Sequence, residues 1–221
     1  MTGTSGKAGS CGRLGLRAEQ VLALDGMAAD AGGATLFATS ARTVRLAFVL
    51  NDLTRPQVAA ICARVGGMPL AIELAAAHVP ELSPAALLSQ LGERPPRPGP
   101  VPAEAYLDAT RASTLRWSYD RLSPEDQVNL RRLSIFAGPF SLAAAARIGS
   151  ADIGSLLAAG LVRRSPVASE TPRYFMLEPV RAFARHLLDD AGEAGDIQYQ
   201  HATYFASLST NTSDTRSMPG D

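Results

Sequence analysis

The stretch L-V-R-R-S-P-V-A-S-E-T-P-R-Y-F-M-L-E-P-V-R-A-F-A-R-H-L-L, residues 161–188, decides the fold. Residues 161–165 and 173–177 are short, apolar-to-mixed runs, and a Pro- and Ser-containing segment separates them. That pattern predicts two strands joined by a turn. Directly after it, Val180, Phe183, Ala184, Leu187 and Leu188 recur at i, i+3, i+4, i+7 and i+8, one apolar face of a helix. Helices, then a β-hairpin, then a helix is the order of a winged helix.

The residues upstream supply the helices this reading needs. Residues 110–121 place Ala112, Leu115 and Tyr119 on one face, which Leu122 continues. Ser123-Pro124-Glu125-Asp126 is a helix start: a capping Ser, a Pro at the first helical position, and acids near the positive end of the helix dipole. That helix is expected to run to about Phe136, where Gly138-Pro139 breaks it. Ser141 caps a short Ala-rich helix ending at Ile148, and Asp152 opens another ending at Gly160. Downstream, residues 193–208 predict one more amphipathic helix ahead of a polar tail at 211–221.

Residues 93–102 read E-R-P-P-R-P-G-P-V-P. Prolines at this density remove backbone donors and forbid helix, so 93–109 is expected to be a stiff linker between domains. Ahead of it lies a second helical group, residues 21–92. A helical pattern runs from Met27 to about Leu46, weakened by Gly32-Gly33. Asp52 or Thr54 caps the next helix, which carries Val58, Ile61, Cys62 and Val65 on one face and stops at Gly66-Gly67. Pro69 starts a helix to about Val79, and Ser83-Pro84 starts a third, to about Gly92. The expected fold is mainly α: a small helical bundle, then a winged helix at 110–191, then a C-terminal helix at 192–210. Residues 1–20, rich in Gly, Ser and Thr, are expected to be disordered.

Composition sets the broad class. Of 221 residues, 46% are hydrophobic and 19% charged, and formal net charge is zero, so no global charge announces a nucleic-acid or membrane partner. No apolar run approaches the roughly 20 residues that cross a bilayer. Residues 1–12 carry no apolar core of a secretion signal. Cys11 and Cys62 are too few and too far apart for a disulfide framework or a metal site, and they fit a reducing cytoplasmic setting.

Several spaced motifs carry a family resemblance. Gly66-Gly67-Met68-Pro69-Leu70-Ala71 resembles the G-L-P-L-A motif of the STAND signal-transduction ATPases (the NB-ARC-like class), and in particular their bacterial transcriptional-activator branch. Residues 36–50, 115–119, 133–140 and 173–184 resemble that branch in the same order, and residues 201–205 resemble the first helix of the tetratricopeptide array that often follows. The resemblance implies that residues 21–92 are the helical lid and 110–191 the winged-helix arm of an ADP/ATP switch. It implies that Gly67, Met68 and Pro69 lie against the adenine. Read without it, Gly66-Gly67 simply ends one helix and Pro69 starts the next; both readings are compatible. It also makes Met176-Leu177-Glu178 the second-sensor position, where relatives carry a His that reaches the phosphate. Leu177 has no donor, which puts phosphate sensing there in doubt; Glu178 instead suits the start of the following helix.

Catalytic equipment is not in the sequence. Gly6-Lys7 is followed by Ala8, so the G-x-x-x-x-G-K-[ST] loop that wraps phosphates is absent. Val21–Asp25 mimics a strand ending in a Mg²⁺-binding Asp, but without that loop it has nothing to act on. His78, His186 and His201 have no metal-ligand spacing. The expectation is therefore a non-enzymatic regulatory fragment with no catalytic residue, no metal and no tightly held cofactor. It would meet ATP or ADP only together with a P-loop nucleotide-binding domain, supplied in cis or in trans, and would adjoin tetratricopeptide-type regions. The alternatives are a small winged-helix DNA-binding regulator, whose backbone contacts would be Arg163 and Arg164, or a gene remnant. The helix ahead of the hairpin, residues 152–159, is apolar and has no cation, which disfavours DNA reading.

Overall fold

The computed structural model describes residues 26–91, 103–167 and 171–214. The expected N-terminal tail at 1–20 and the Pro-rich run at 93–102 lie outside the described residues. The fold is mainly α: a helical bundle followed by a winged helix with a small antiparallel sheet.

The bundle begins with one π-helical turn, Ala29–Gly33, that runs into α1, Ala34–Val44. The widened turn falls on the Gly32-Gly33 pair expected to weaken the helix. Gly33 is buried, and a Cβ there would lie 3.2 Å from the Cys62 Cβ. Helix α2, Arg55–Arg64, is not capped by the Thr54 or Asp52 side chain as the sequence suggested. Thr54 already has helical φ and ψ. Its hydroxyl faces the preceding turn, accepting from the Asn51 amide at 3.0 Å, while Asn51 Oδ1 accepts from the amides of Leu53 and Thr54. Helix α3, Pro69–Ala77, follows after the glycine pair. Helix α4, Pro84–Gln90, is capped by Ser83, whose Oγ accepts from the Ala86 amide. Phe37, Ile61, Ile72 and Leu87 are fully buried among these helices.

Helix α5 spans Ala103–Asp120, so it starts seven residues before the expected Thr110. Helix α6, Pro124–Leu133, begins on Ser123, whose Oγ accepts from the Asp126 amide at 3.1 Å. Strand β1, Phe140–Ser141, was not foreseen; two residues carry no periodicity. Ser141 also caps α7, Leu142–Ile148, by accepting from the Ala144 amide at 3.2 Å. Helix α8, Gly154–Ala158, leads to β2, Arg163–Arg164, and β3, Arg173–Phe175. The sheet order is β1-β3-β2, with Phe140 opposite Tyr174 and Arg163 opposite Phe175. The hairpin was legible in the sequence; its third strand was not.

Helix α9, Glu178–Asp190, buries Val180, Ala184 and Leu188, with Phe183 and Leu187 half-buried beside them. Helix α10, Ala194–Asp214, continues past the expected end near Leu208. Its start is tied to α6 through Glu193, which accepts from Arg131 and, at 2.7 Å, from Arg132 Nε. Arg131 holds the Glu193 carboxyl below the usual carboxylate range by hydrogen bonding, against the opposing effect of burial. The winged-helix core gathers Leu115, Leu130, Leu133, Ile148, Leu156, Leu161 and Leu188. Among the described residues no helix is long and apolar enough to cross a membrane.

Buried Asn129 on α6 fastens the α7–α8 connection. Its Nδ2 donates to the Asp152 carbonyl at 3.0 Å, and its Oδ1 accepts from the Ser150 amide at 3.0 Å. Asn129→Ala leaves both backbone groups without their partner, and is expected to lower stability by about 1–3 kcal/mol. A urea melt in which the variant keeps the wild-type midpoint contradicts this.

Candidate functional site

The glycine corner before α3 is built by backbone geometry. Gly66 and Gly67 take φ of 71° and 66°, the left-handed region where a side chain is strained. The Gly67 amide closes on the Cys62 carbonyl at 2.8 Å, ending α2, and the Gly67 carbonyl accepts from the Met27 amide at 2.7 Å. A Cβ on Gly67 would lie 2.4 Å from the Met27 carbonyl oxygen. The chain leading into the bundle therefore lies directly on this corner. Met68 turns into the bundle core at 7% exposure, whereas the Pro69 ring, at the first position of α3, stands exposed. Of the three residues assigned to a base, Pro69 presents an open rigid face, Gly67 a close backbone, and Met68 serves packing.

The second assigned segment lies at the entry to α9. Leu70, the residue after Pro69, packs half-buried against the winged-helix core, as do Met176 and Leu177. Glu178 sits in the first turn of α9, where its charge is favoured, and its carboxylate is held by Arg181 at 2.8 Å. It does not cap that helix through its side chain; the N-cap residue is Leu177. Among these three residues no side chain offers a donor.

Arg163 is not a free surface cation. Its guanidinium donates to Glu73 on α3, and both side chains are about two-thirds buried, at 34% and 28% exposure. Arg164 is exposed. Helix α8, at the position of a groove-reading helix, has five residues and is about 7.5 Å long. Its Leu156 is buried, and Ser155, Ala158 and the following Ala159 line a cleft whose other wall is the end of α3.

That junction contains residues the sequence did not single out together. The His78 imidazole, at the end of α3, meets the edge of Trp117 on α5 at 4.6 Å. Arg121 lies over the same indole at 5.4 Å and donates to Gln90 at 2.8 Å and Glu81 at 2.9 Å. Burial, and secondarily the nearby Arg121 charge, push the His78 imidazole from its ordinary 6.5 down to about 4, with Glu81 acting the other way. Its Nε2 is buried without a hydrogen-bond partner. Sequence periodicity shows His78 on a helix; nothing in it couples His78 to a tryptophan 39 residues later. Glu73 and Arg163, 90 residues apart, were equally invisible as a pair.

No family model and no solved structure matches this chain. It is homologous to curated mycobacterial proteins. One from Mycobacterium tuberculosis, named "Uncharacterized protein", is 36% identical over 175 residues, 73% of this chain and 44% of that protein. Another from the same species, named "Putative HTH-type transcriptional regulator", is 33% identical over 186 residues, 80% of this chain and 21% of that protein. A protein of the same name from Mycobacterium bovis matches to the same extent. The chain spans less than half the length of these relatives. This homology ties it to proteins named as transcriptional regulators.

Two predictions follow from the junction. A double-mutant cycle over Glu73→Ala and Arg163→Ala is expected to give a coupling of roughly 0.5–2 kcal/mol, since the pair is half-shielded from solvent; additive losses would contradict a direct pair. The folded chain keeps His78 neutral while the unfolded chain protonates it. His78 therefore contributes fully above pH 6.5, and its contribution falls as pH drops from 6.5 towards 4. The limit is on the order of 3 kcal/mol. His78→Phe should flatten that slope in denaturation at successive pH values; an unchanged slope contradicts it.

Proposed function

We propose that this chain is the lid-and-arm module of a STAND-class, NB-ARC-like transcriptional regulator. In this reading residues 26–91 form the adenine-side wall of a nucleotide site whose phosphates are held by a P-loop domain. The winged helix is an arm that docks on that wall rather than a reader of DNA. The observation that carries the reading is α3: its first residue is an exposed proline on a glycine corner, and its flank is bound to the winged helix. A docked arm of this kind switches only if nucleotide favours one of two arrangements, docked or released, over the other.

The residues fit one end of a nucleotide only. Pro69 offers a flat apolar face, and the Gly67 backbone permits close approach. The phosphate end finds no donor at Met176, Leu177 or Glu178. The chain's own contribution is thus to enclose the base and to hold the arm, with no catalytic step of its own.

The docked arrangement also supports this reading over a DNA-binding one. Arg163 is engaged by Glu73, and α8 faces the lid with no cation of its own. The word HTH in a relative's name does not say which part of that longer protein it describes.

Calorimetry should show no micromolar ATP binding by the chain alone, and no Mg²⁺-dependent hydrolysis. With a STAND P-loop domain supplied in trans, the mixture should bind ADP more tightly than that domain alone, and Pro69→Glu should remove the gain. A gel shift that weakens steeply with salt and disappears in Arg163→Ala/Arg164→Ala would favour the DNA-binding reading instead.

A further inference from the structure

The far end of α3 borders a cleft that the nucleotide reading does not use. It encloses about 600 Å³, within the range of small-molecule sites. Helix α3 is nine residues long, so the cleft lies roughly 13 Å from Pro69. Its walls come from both halves of the fold: His78 and Glu81 from the lid, Arg121 and Asp126 from the α5–α6 corner, Ser155 and Ala158 from α8. Val44, Ala77, Pro80 and Ala159 make its apolar surface.

The unused capacity of these groups has one sign. The Arg121 guanidinium is already taken by Glu81, Gln90 and the face of Trp117. Asp126 Oδ2 accepts from the Ser123 hydroxyl at 2.8 Å, and Oδ1 has no hydrogen-bond partner among the described residues. Two carboxylates and one guanidinium line the cleft, and His78, 7% exposed, has its Nε2 unpartnered. With Arg121 paired to Glu81, the cleft has one uncompensated carboxylate, Asp126, beside an apolar floor. We propose that this junction cleft binds a small organic cation, a primary amine on an apolar body about the size of one aromatic ring, with Asp126 receiving the ammonium. Because the walls belong to lid and arm, the ligand stabilises their docked arrangement by linkage. The proposal does not depend on nucleotide binding.

The chain's single tryptophan, Trp117, touches His78 and reports on the cleft. Titrating the full chain with benzylamine should change Trp117 fluorescence saturably in the millimolar range, while benzoate and benzyl alcohol bind at least about tenfold more weakly. Ala158 is exposed, so Ala158→Phe fills the cleft without disturbing the core and should abolish binding. Asp126→Asn keeps the shape, removes the charge and should weaken binding about tenfold. Thermal melts of both variants establish that they are folded. No saturation by about 10 mM benzylamine, equal binding of benzoate, or unchanged binding in folded Ala158→Phe overturns the proposal.

Discussion

Helix α3 is buried from two sides at once. Ala71, Ile72, Ala75 and Ala76 face the lid core, while Leu74 belongs to the winged-helix core and Leu70 packs against it. Beyond its exposed first residue, α3 is apolar on every side except at Glu73, so most of its circumference must be enclosed. Neither half of the fold encloses it alone. The lid supplies one wall, and α5, β2 and the turn after α8 supply the other. At that turn Gly160 takes φ of 71°, and an added Cβ would already touch Leu74 and Ala77. The position of the winged helix relative to the helical bundle is therefore a packing consequence of nine residues, reinforced by Glu73 and Arg163.

This enclosure bears on what the winged helix presents. Its short helix α8 faces the end of α3 across the cleft, and of the three hairpin cations, Arg163, Arg164 and Arg173, the first is tied back to the bundle by Glu73. Electrostatic attraction to a phosphate backbone needs several unpaired cations on one surface, and the hairpin leaves Arg164 and Arg173 exposed. The sheet itself is small, two or three residues per strand, and its stability comes from aromatic packing: Phe136 stacks on Phe140 at 4.8 Å, and Phe140 meets Tyr174.

What the sequence disclosed, and what it hid, follows the range of the forces involved. Ser83, Ser123 and Ser141 were legible as caps because each acts on an amide three residues away, within one local pattern. The apolar stripe of α9 was legible for the same reason. Thr54 looked like a cap by type, yet it already has helical φ and ψ and its hydroxyl is engaged with the Asn51 turn before the helix. Strand β1 was too short to show alternation. The Pro-rich run suggested an extended segment through 109, but Ala103 onward has nothing that forbids helix. At the site, Pro69 and its glycines were legible through local backbone chemistry. Glu73 with Arg163 and His78 with Trp117 were not, because tertiary packing alone brings them together.

The hydrogen bond between the Met27 amide and the Gly67 carbonyl has a mechanical meaning. It staples the polypeptide entering the bundle to the very bend on which the exposed proline ring sits. Tension on the chain at Gly26 would meet that corner before it reached the helices of the bundle. The bend is thus the mechanical joint between the entering chain and the rod that both halves of the molecule share.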